Sequence, residues 1–336
     1  MLKKKGKMSW NCHLISMAAI IIAVLMMVSA SGSYAQYNGE CWAADYYNVL
    51  KIDLNGQALP FQGFSQPLAL SINPGDGSVW VADTDAIKVR KLSAAGQELL
   101  VLDGAANPPA FKTQPASVAV DTRDGSCWVA TKESVYKFSA DGNQLAKLDG
   151  FSEPTVAVSP LNGECWVADS NKARVVRISE AGQQLAAITI EGITQPKSIS
   201  VNPTDGTCWV LDPFTQKIVK LSADGAILIE TTAVPAGSAM MLTFLSASLD
   251  GGCWVAVMID TMNDSVVKLS ADGKQALKVD GFAMPSGLAA DPRDGGCWVA
   301  DTNGGKITKL SAAGQTVASI GGLTYPKVVA VVSQAR

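Results

Sequence analysis

The residue types best able to do chemistry in this chain recur as one pentapeptide. Cys-Trp-Val-Ala-Asp, or a close variant, is written seven times, with its tryptophans at Trp42, Trp80, Trp128, Trp166, Trp209, Trp254 and Trp298. The thiols could form disulfides, the indoles could stack on sugar rings, and the carboxylates could bind calcium. The spacing of 38 to 48 residues is typical of propeller blades and helical solenoids. A group that recurs once per structural unit favours a role in packing.

The cysteines of the pentapeptide are predicted to be buried free thiols. Six lie between residues 36 and 336, one per repeat except the second, where Val79 fills the position. Equivalent positions of neighbouring repeats are expected to lie farther apart than the ~7 Å Cα separation that a disulfide tolerates. A position that accepts valine indicates a small apolar packing site, and the adjacent tryptophans are expected to form the core between repeats.

Two sets of charged residues also recur, an aspartate in five of the seven repeats and a cation in all seven. The aspartates that end the pentapeptide are expected to accept backbone N–H groups of their own turn rather than bind calcium: Asp45, Asp83, Asp169, Asp212 and Asp301. Cations occupy one position of the following apolar run, and we expect them to pair locally: Lys51, Lys91, Lys137, Arg177, Lys220, Lys268 and Lys309.

The only histidine of the chain, His13, lies in the N-terminal segment. Residues 36–336 therefore lack the imidazole needed for Ser-His-Asp or Cys-His catalysis and for His-ligated zinc or copper. We expect no cofactor and no metal site. Structural calcium at the aspartates and Cu(I) at the methionines stay open as alternatives.

Each repeat contains four short apolar runs separated by turns. In residues 115–150 the turns are Asp124-Gly125 and Asp141-Gly142, and Asp-Gly is a strong hairpin signal because both residues tolerate positive φ. Four antiparallel strands that are buried on both faces are typical of a propeller blade. The chain after residue 35 begins at a second strand and ends with a lone first strand, 327–332. We therefore predict an all-β, seven-bladed β-propeller, closed by pairing the C-terminal strand with the N-terminal strands.

Residues 301–314, Asp-Thr-Asn-Gly-Gly-Lys-Ile-Thr-Lys-Leu-Ser-Ala-Ala-Gly, resemble an NHL repeat. They are also similar to the repeats of streptogramin-lyase-like and YVTN-type propellers, and the resemblance extends over residues 36–336. It implies the fold but not one function, since such propellers serve as enzymes, adhesion modules and scaffolds. The lyase members are implied to rely on histidines, which this chain lacks after residue 35, so their activity is not expected here.

The first 35 residues are predicted to be a signal peptide. Four lysines precede the apolar run 14–28, and Ser33-Tyr34-Ala35 offers a cleavage site before Gln36. An uncleaved membrane anchor is the alternative. Cleavage would leave 23 basic against 30 acidic residues, a net charge of −7. We expect an exported, secreted or periplasmic monomer with one domain, 36–336, and no affinity for nucleic acid. Membrane contact is expected only through an uncleaved N-terminal segment.

Longer loops are expected to gather on the face opposite the Asp-Gly turns, around the mouth of the central channel. The residues that precede the first-strand prolines vary around that mouth: Gln66, Gln114, Glu153, Gln195, Met284 and Tyr325. The sixth repeat departs most from the others. All five methionines after residue 35 lie in it or next to it, on the same face as Tyr46 and Tyr47: Met240, Met241, Met258, Met262 and Met284.

A deformable methionine surface favours a protein, peptide or hydrophobic ligand. Ordinary packing of an enlarged loop and thioether capture of Cu(I) are the alternatives. We expect a non-catalytic binding scaffold that acts through its loop-rich face, with the five methionines, Tyr46, Tyr47, Tyr325 and the three glutamines as its binding residues. The alternative function is a lyase or hydrolase at the channel mouth, with Glu153 as general acid or base.

Overall fold

Each repeat folds into a four-stranded antiparallel sheet, as the turn spacing predicts. A computed structural model describes residues 41–53, 55–232, 241–259 and 264–331, with Met241 described by its backbone alone. All of these residues belong to one unit, Gly39–Arg336. They form seven sheets of four strands, and the helix among them is the 3-10 turn Ser170–Lys172. Within these ranges, no helix has the length and apolar character needed to cross a membrane.

The strands follow one another in the predicted order, with three in the first blade and four in each later one. Blades one to four contain β1 (Cys41–Ala44), β2 (Asn48–Ile52), β3 (Ala58–Gln62), β4 (Pro67–Ile72), β5 (Val79–Asp83), β6 (Lys88–Leu92), β7 (Glu98–Asp103), β8 (Pro115–Val120), β9 (Cys127–Thr131), β10 (Ser134–Phe138), β11 (Gln144–Asp149), β12 (Pro154–Val158), β13 (Cys165–Asp169), β14 (Arg174–Ile178) and β15 (Gln184–Thr189). Blades five to seven contain β16 (Ser198–Val201), β17 (Cys208–Asp212), β18 (Lys217–Leu221), β19 (Ile227–Thr231), β20 (Met241–Ala247), β21 (Cys253–Met258), β22 (Asp264–Leu269), β23 (Gln275–Phe282), β24 (Pro285–Ala290), β25 (Cys297–Asp301), β26 (Lys306–Leu310) and β27 (Thr316–Gly321).

The last strand, β28 (Val328–Val331), completes blade one and closes the ring. It pairs antiparallel with β1, with Cys41 opposite Val331 and Ala44 opposite Val328. The first strands of successive blades contact one another around the centre, and β28 contacts both β24 and β4. The predicted seven-bladed propeller, closed by its two terminal segments, is confirmed.

The pentapeptide forms the core between blades because successive strand residues point to opposite faces. In β5 and β9, Trp80 and Ala82 of blade two pack against Cys127 and Val129 of blade three. The same pairing closes the ring, where Trp298 and Ala300 pack against Cys41 and Ala43. The seven tryptophans and six cysteines of the pentapeptide copies are buried, and these cysteines are unpaired. Burial raises the pKa of each thiol well above its ordinary value, which keeps it protonated.

A glycine between the third and fourth strands fits each blade against the one before it. Gly182, in the turn after β14, has φ of +83°, and a Cβ placed there would lie 2.4 Å from Cβ of Ala146 on β11. In the next blade, a Cβ on Gly225 would lie 2.6 Å from Cδ1 of Ile188. Glycine is therefore required at this turn for two reasons, the left-handed backbone and the close approach of the neighbouring blade.

Replacing Gly182 with alanine is expected to lower the free energy of unfolding by about 2–5 kcal/mol. The left-handed backbone costs a residue with Cβ about 1–2 kcal/mol, and overpacking against Ala146 adds about 1–3 kcal/mol. Gly150→Ala is the matched control, since its φ is +89° and nothing lies within 4 Å of the added Cβ. Urea denaturation of both variants tests this. Equal losses would contradict the predicted contact between blades.

Candidate functional site

The two faces of the ring differ in backbone conformation. The tight hairpin turns lie on one face, and the loops between second and third strands and between blades lie on the other, which we call the loop-rich face. All seven non-glycine residues with positive φ in the described ranges belong to loops of the loop-rich face: Gln66, Ile87, Glu153, Ala173, Gln216, Met284 and Tyr325. Such conformations cost about 1–3 kcal/mol each and cluster at binding sites. The loop-rich face is therefore where the chain tolerates strain.

The aspartates that end the second strands hold this face in place, but not in the predicted way. Asp45 does accept the N–H groups of its own turn, from Tyr47 at 2.9 Å and Asn48 at 2.7 Å. Asp83, Asp169 and Asp301 reach instead to the loop that precedes their blade, where they accept N–H groups at 2.6–2.7 Å from Ser65, Ser152 and Ala283, respectively. The expectation that every aspartate serves its own turn is wrong for Asp83 and Asp169, whereas Asp301 also accepts the N–H of Gly304 in its own turn. These carboxylates therefore fix Ser65, Ser152 and Ala283. Each of the three immediately precedes a residue with a left-handed backbone, which is Gln66, Glu153 or Met284, respectively.

Asp212 makes both kinds of contact. Its Oδ1 accepts the N–H of Phe214 at 2.8 Å, and its Oδ2 accepts those of Thr194 and Gln195 at 2.5 and 2.9 Å. Burial disfavours the charge, but these backbone hydrogen bonds outweigh it and hold the pKa of Asp212 below its ordinary value. At Asp83 and Asp301 burial dominates and raises the pKa.

Blade six lacks the aspartate at the end of its second strand, but an aspartate on its third strand makes the equivalent contacts. Val257 stands where five of the other blades have the acid, and Asp264 at the start of β22 accepts backbone N–H groups in its place. Asp264 Oδ1 accepts the N–H of Ile259 at 2.7 Å, and its Oδ2 accepts that of Met284 at 2.6 Å. The anchor of blade six thus holds the loop that leads into blade seven.

The structure places the predicted tyrosines and one methionine together on the loop-rich face. Tyr46 and Tyr47 form an edge-to-face pair with ring centroids 4.8 Å apart. The loop of Tyr325 joins them, because the Tyr46 N–H donates to Thr324 O at 3.0 Å. Met284, at the entrance of the adjacent blade seven, is also exposed. We call Tyr46, Tyr47, Tyr325 and Met284 the aromatic sector.

The remaining predicted methionines do not add to this sector in the described part of the chain. Met258 is half-buried at the end of β21, where it lies opposite the backbone of Met241. Met240, Met262 and the side chain of Met241 lie outside the described residues.

The pre-proline residues surround the mouth without forming one constellation. Gln66 is half-buried and donates its N–H to Tyr46 O at 3.0 Å, Gln195 is held by Asp212, and Gln114 is exposed. Glu153 is half-buried, and its N–H donates to Lys132 O at 2.9 Å. Of the six predicted mouth residues, Met284 alone lines the central cavity.

The first strands line a central channel with a cavity of about 560 Å³, which reaches the loop-rich face at Met284, Thr302 and Lys327. Serines of these strands satisfy the backbone of the next blade. Ser71 Oγ accepts the N–H of Val120 at 2.9 Å, and Ser198 Oγ accepts that of Leu245 at 3.1 Å. Ser200 of the same strand as Ser198 makes the same contact, as do Ser117 and Ser246 in other blades. The channel serines therefore join neighbouring first strands.

One acidic cluster on the opposite face has ligand-like spacing. Oxygens of Asp121, Asp124 and Glu180 lie within 4.8 Å of one another. Arg123 already occupies this cluster, because its Nη2 lies 2.7 Å from Asp121 Oδ2 and 3.1 Å from Glu180 Oε1. A guanidinium thus supplies the positive charge that a metal ion would bring.

Sequence reasoning missed two features of the loop-rich face. Phe214, in the loop after β17, is 63% exposed. The loop 104–114 between blades two and three is longer than any other inter-blade loop whose residues are all described, and it buries Phe111 beneath it. The signals were present, since Trp80 and Trp128 are 48 residues apart, and Phe214 stands where blade two has Asp85 and blade seven has Asn303.

The fold defines this chain as a seven-bladed β-propeller. No family model matches it, and no match is found among curated proteins. Among solved structures, a streptogramin B lyase is 18% identical with a TM-score of 0.65, covering 78% of this chain and 87% of that one. A protein of unknown function from Desulfotomaculum acetoxidans DSM 771 is 13% identical with a TM-score of 0.72, covering 89% and 100%. A protein described as a candidate 6-phosphogluconolactonase from Bacteroides uniformis is 15% identical with a TM-score of 0.70, covering 88% and 100%. At these identities the similarity shows the fold alone.

Asp212→Asn is expected to destabilise the protein at pH 7 by about 1–3 kcal/mol, because an amide nitrogen replaces one of two oxygens that accept backbone N–H groups. The folded pKa of Asp212 lies below its ordinary value of 3.8. Its contribution is therefore complete above about pH 4 and is lost as the pH falls through the folded pKa. Urea denaturation from neutral to acidic pH should show the difference from wild type narrowing in acid.

Asp83→Asn is the matched control for this pH profile. Because the folded pKa of Asp83 is raised, the ionised side chain opposes folding above that pKa, and the opposition disappears as the pH falls towards 3.8. The free energy of unfolding of wild type relative to Asp83→Asn should therefore rise as the pH falls. Relative to Asp212→Asn it should decrease. Parallel profiles for the two variants would contradict these assignments.

Proposed function

We propose that this protein is an exported, non-catalytic binding propeller that holds a protein or peptide partner on the aromatic sector. One observation carries the proposal. In the described ranges, every strongly exposed aromatic side chain lies on the loop-rich face: Tyr47 at 58%, Phe214 at 63% and Tyr325 at 56%. The other exposed large hydrophobic residues, apart from Met284 and Leu161, are aliphatic and lie on the fourth strands at the outer rim.

The aromatic sector suits a macromolecular surface better than a small ligand. Small molecules bind in concave sites that bury most of their area, whereas Tyr47 and Tyr325 project from loops. Tyrosine supplies a large amphipathic contact at low entropic cost, and methionine adapts to irregular surfaces. An exposed aromatic group flanked by a methionine therefore fits the centre of a protein interface.

The sector is held rigidly, which favours binding. The Tyr46 N–H donates to Thr324 O, and the Tyr46 carbonyl accepts the N–H of Gln66, both at 3.0 Å. The carbonyl of Met284 accepts the N–H of Thr302 at 3.1 Å, while Asp264 holds the Met284 N–H. Loops fixed in this way lose little freedom when a partner binds.

The side chains that could perform acid–base or nucleophilic chemistry support binding rather than turnover. The loop-face aspartates are committed to backbone N–H groups, and the channel serines accept backbone N–H groups of the next blade. Glu153, the residue of the alternative enzymatic function, lies outside the cavity lining. The aspartates therefore stabilise the loops and the serines join neighbouring first strands.

Replacing Tyr47, Tyr325 and Met284 with serine is expected to abolish capture of the partner while leaving the melting temperature nearly unchanged, because the replaced side chains are solvent-exposed. The measurement is pull-down from the exported protein fraction of the source organism, with quantitative mass spectrometry. Leu145→Ser with Leu185→Ser is the matched control, since these rim side chains are 55% and 49% exposed. Equal capture by the sector variant, or equal loss in the rim control, would overturn the proposal.

Export has its own test. When the full chain is expressed in a bacterium with a general secretion system, the mature protein is expected outside the cytoplasm with Gln36 at its N-terminus. Intact-mass measurement of the exported fraction checks the cleavage site. A product that retains residues 1–35 in the membrane fraction would favour the anchored alternative, and a cytoplasmic full-length product would refute export.

A further inference from the structure

The central cavity carries an unbalanced positive charge. Its charged lining residues are Lys197, just before β16 of blade five, and Lys327, just before β28 of blade one. The remaining lining side chains are apolar or hydroxyl-bearing, and no acidic residue is among them. Since blades five and one are three steps apart in a ring of seven, the two lysines stand on nearly opposite walls of the channel.

Lys197 and Lys327 differ from the other half-buried lysines of the described chain. Elsewhere on the loop-rich face the ammonium group meets a carboxylate, as in Lys217–Glu230 at 2.7 Å and Lys88–Asp103 at 3.2 Å. Third-strand cations donate either to carbonyls of the next blade, as Lys137 does to Glu180 O at 3.0 Å, or to carboxylates of their own blade, as Lys309 does to Asp291 at 2.7 Å. Within the described residues, the Nζ atoms of Lys197 and Lys327 have neither kind of acceptor, although Lys327 Nζ lies 5.6 Å from the ring centroid of Tyr46.

The backbone of both lysines is fixed on each side. The Lys197 N–H donates to Leu211 O at 2.9 Å, and its carbonyl accepts Thr155 Oγ1 at 3.1 Å. The Lys327 N–H donates to Ala44 O at 3.0 Å, and its carbonyl accepts Ser286 Oγ at 3.2 Å. The same pattern thus presents each lysine to the channel from a rigid strand entrance, which lowers the entropic penalty of binding between them.

We propose that the channel mouth binds a small organic anion that carries two or more carboxylate or phosphate groups and bridges Lys197 and Lys327. Two cations on low-dielectric walls concentrate the local field and attract a counter-charge. A volume of about 560 Å³ lies within the roughly 300–1,000 Å³ range of small-molecule sites. The apolar lining suits a short carbon skeleton between the charged groups. This site goes beyond the proposed partner surface.

The experiment is isothermal titration calorimetry of the protein comprising residues 36–336 with two probes, tricarballylate for carboxylates and pyrophosphate for phosphates. Sodium chloride at matched ionic strength is the blank. At least one probe is expected to bind with 1:1 stoichiometry and a Kd tighter than about 1 mM. The probe that binds identifies the anionic group. Absence of saturable binding by both probes would overturn the proposal.

Variants locate the site. Lys197→Gln and Lys327→Gln are each expected to weaken the bound probe by about tenfold or more, while Lys132→Gln, on an exposed loop of the same face, leaves it unchanged. Melting temperatures of all three variants should match wild type. Equal weakening in the Lys132 control, or no change in the Lys197 variant, would show that binding is non-specific and refute the bridge. Lys197 lies outside the aromatic sector, so its variant should retain partner capture.

Discussion

The structure depends on the packing of one tryptophan against one small residue, a cysteine, which recurs at six contacts between blades. Trp128 and Ala130 of blade three meet Cys165 and Val167 of blade four, and the same geometry recurs around the ring. A large side chain opposite a small one lets flat sheets approach closely, and a strand that contributes both is buried on its two faces. The last contact, between Trp298 and Cys41, is like the others. Ring closure therefore needs a terminal strand but no special interface.

The charged residue on the third strand extends this contact. Lys137 lies opposite Trp128 across the strand pair, places its Nζ 5.5 Å from the ring centroid, and donates to Glu180 O in the next blade. Arg177 covers Trp166 and reaches Asp224 O in the same way. A cation over an indole face is favourable, more so when partly desolvated. The repeated thiols, indoles and cations therefore serve packing and hydrogen bonding between strands and blades. Candidate functional residues are to be sought in the loops.

The repeated features of the fold can be predicted from the sequence. Contacts between residues that are distant in sequence cannot. Turn spacing and strand order suffice for seven blades and for the pairing of Cys41 with Val331. The aspartates show the limit. The local rule describes Asp45, but Asp83 lies opposite Pro67 in the sheet, which brings its carboxylate to the N–H of Ser65. Lys197 carries no motif at all, and its lack of a charged partner among the described residues is visible only in the tertiary structure.

The contacts that hold the loop-rich face also keep several of its residues in a strained backbone conformation. A left-handed residue before proline is disfavoured by local sterics, so Met284 and Tyr325 keep this conformation because Asp264, Thr302 and Ala44 hold the flanking backbone. At Tyr325 the side chain is exposed, while the residue two positions later lines the channel. Tyr325 and Lys327 are related in this way, and Lys327 also lies against Tyr46. The proposed partner surface and the proposed channel site therefore meet at the entrance of one strand, β28.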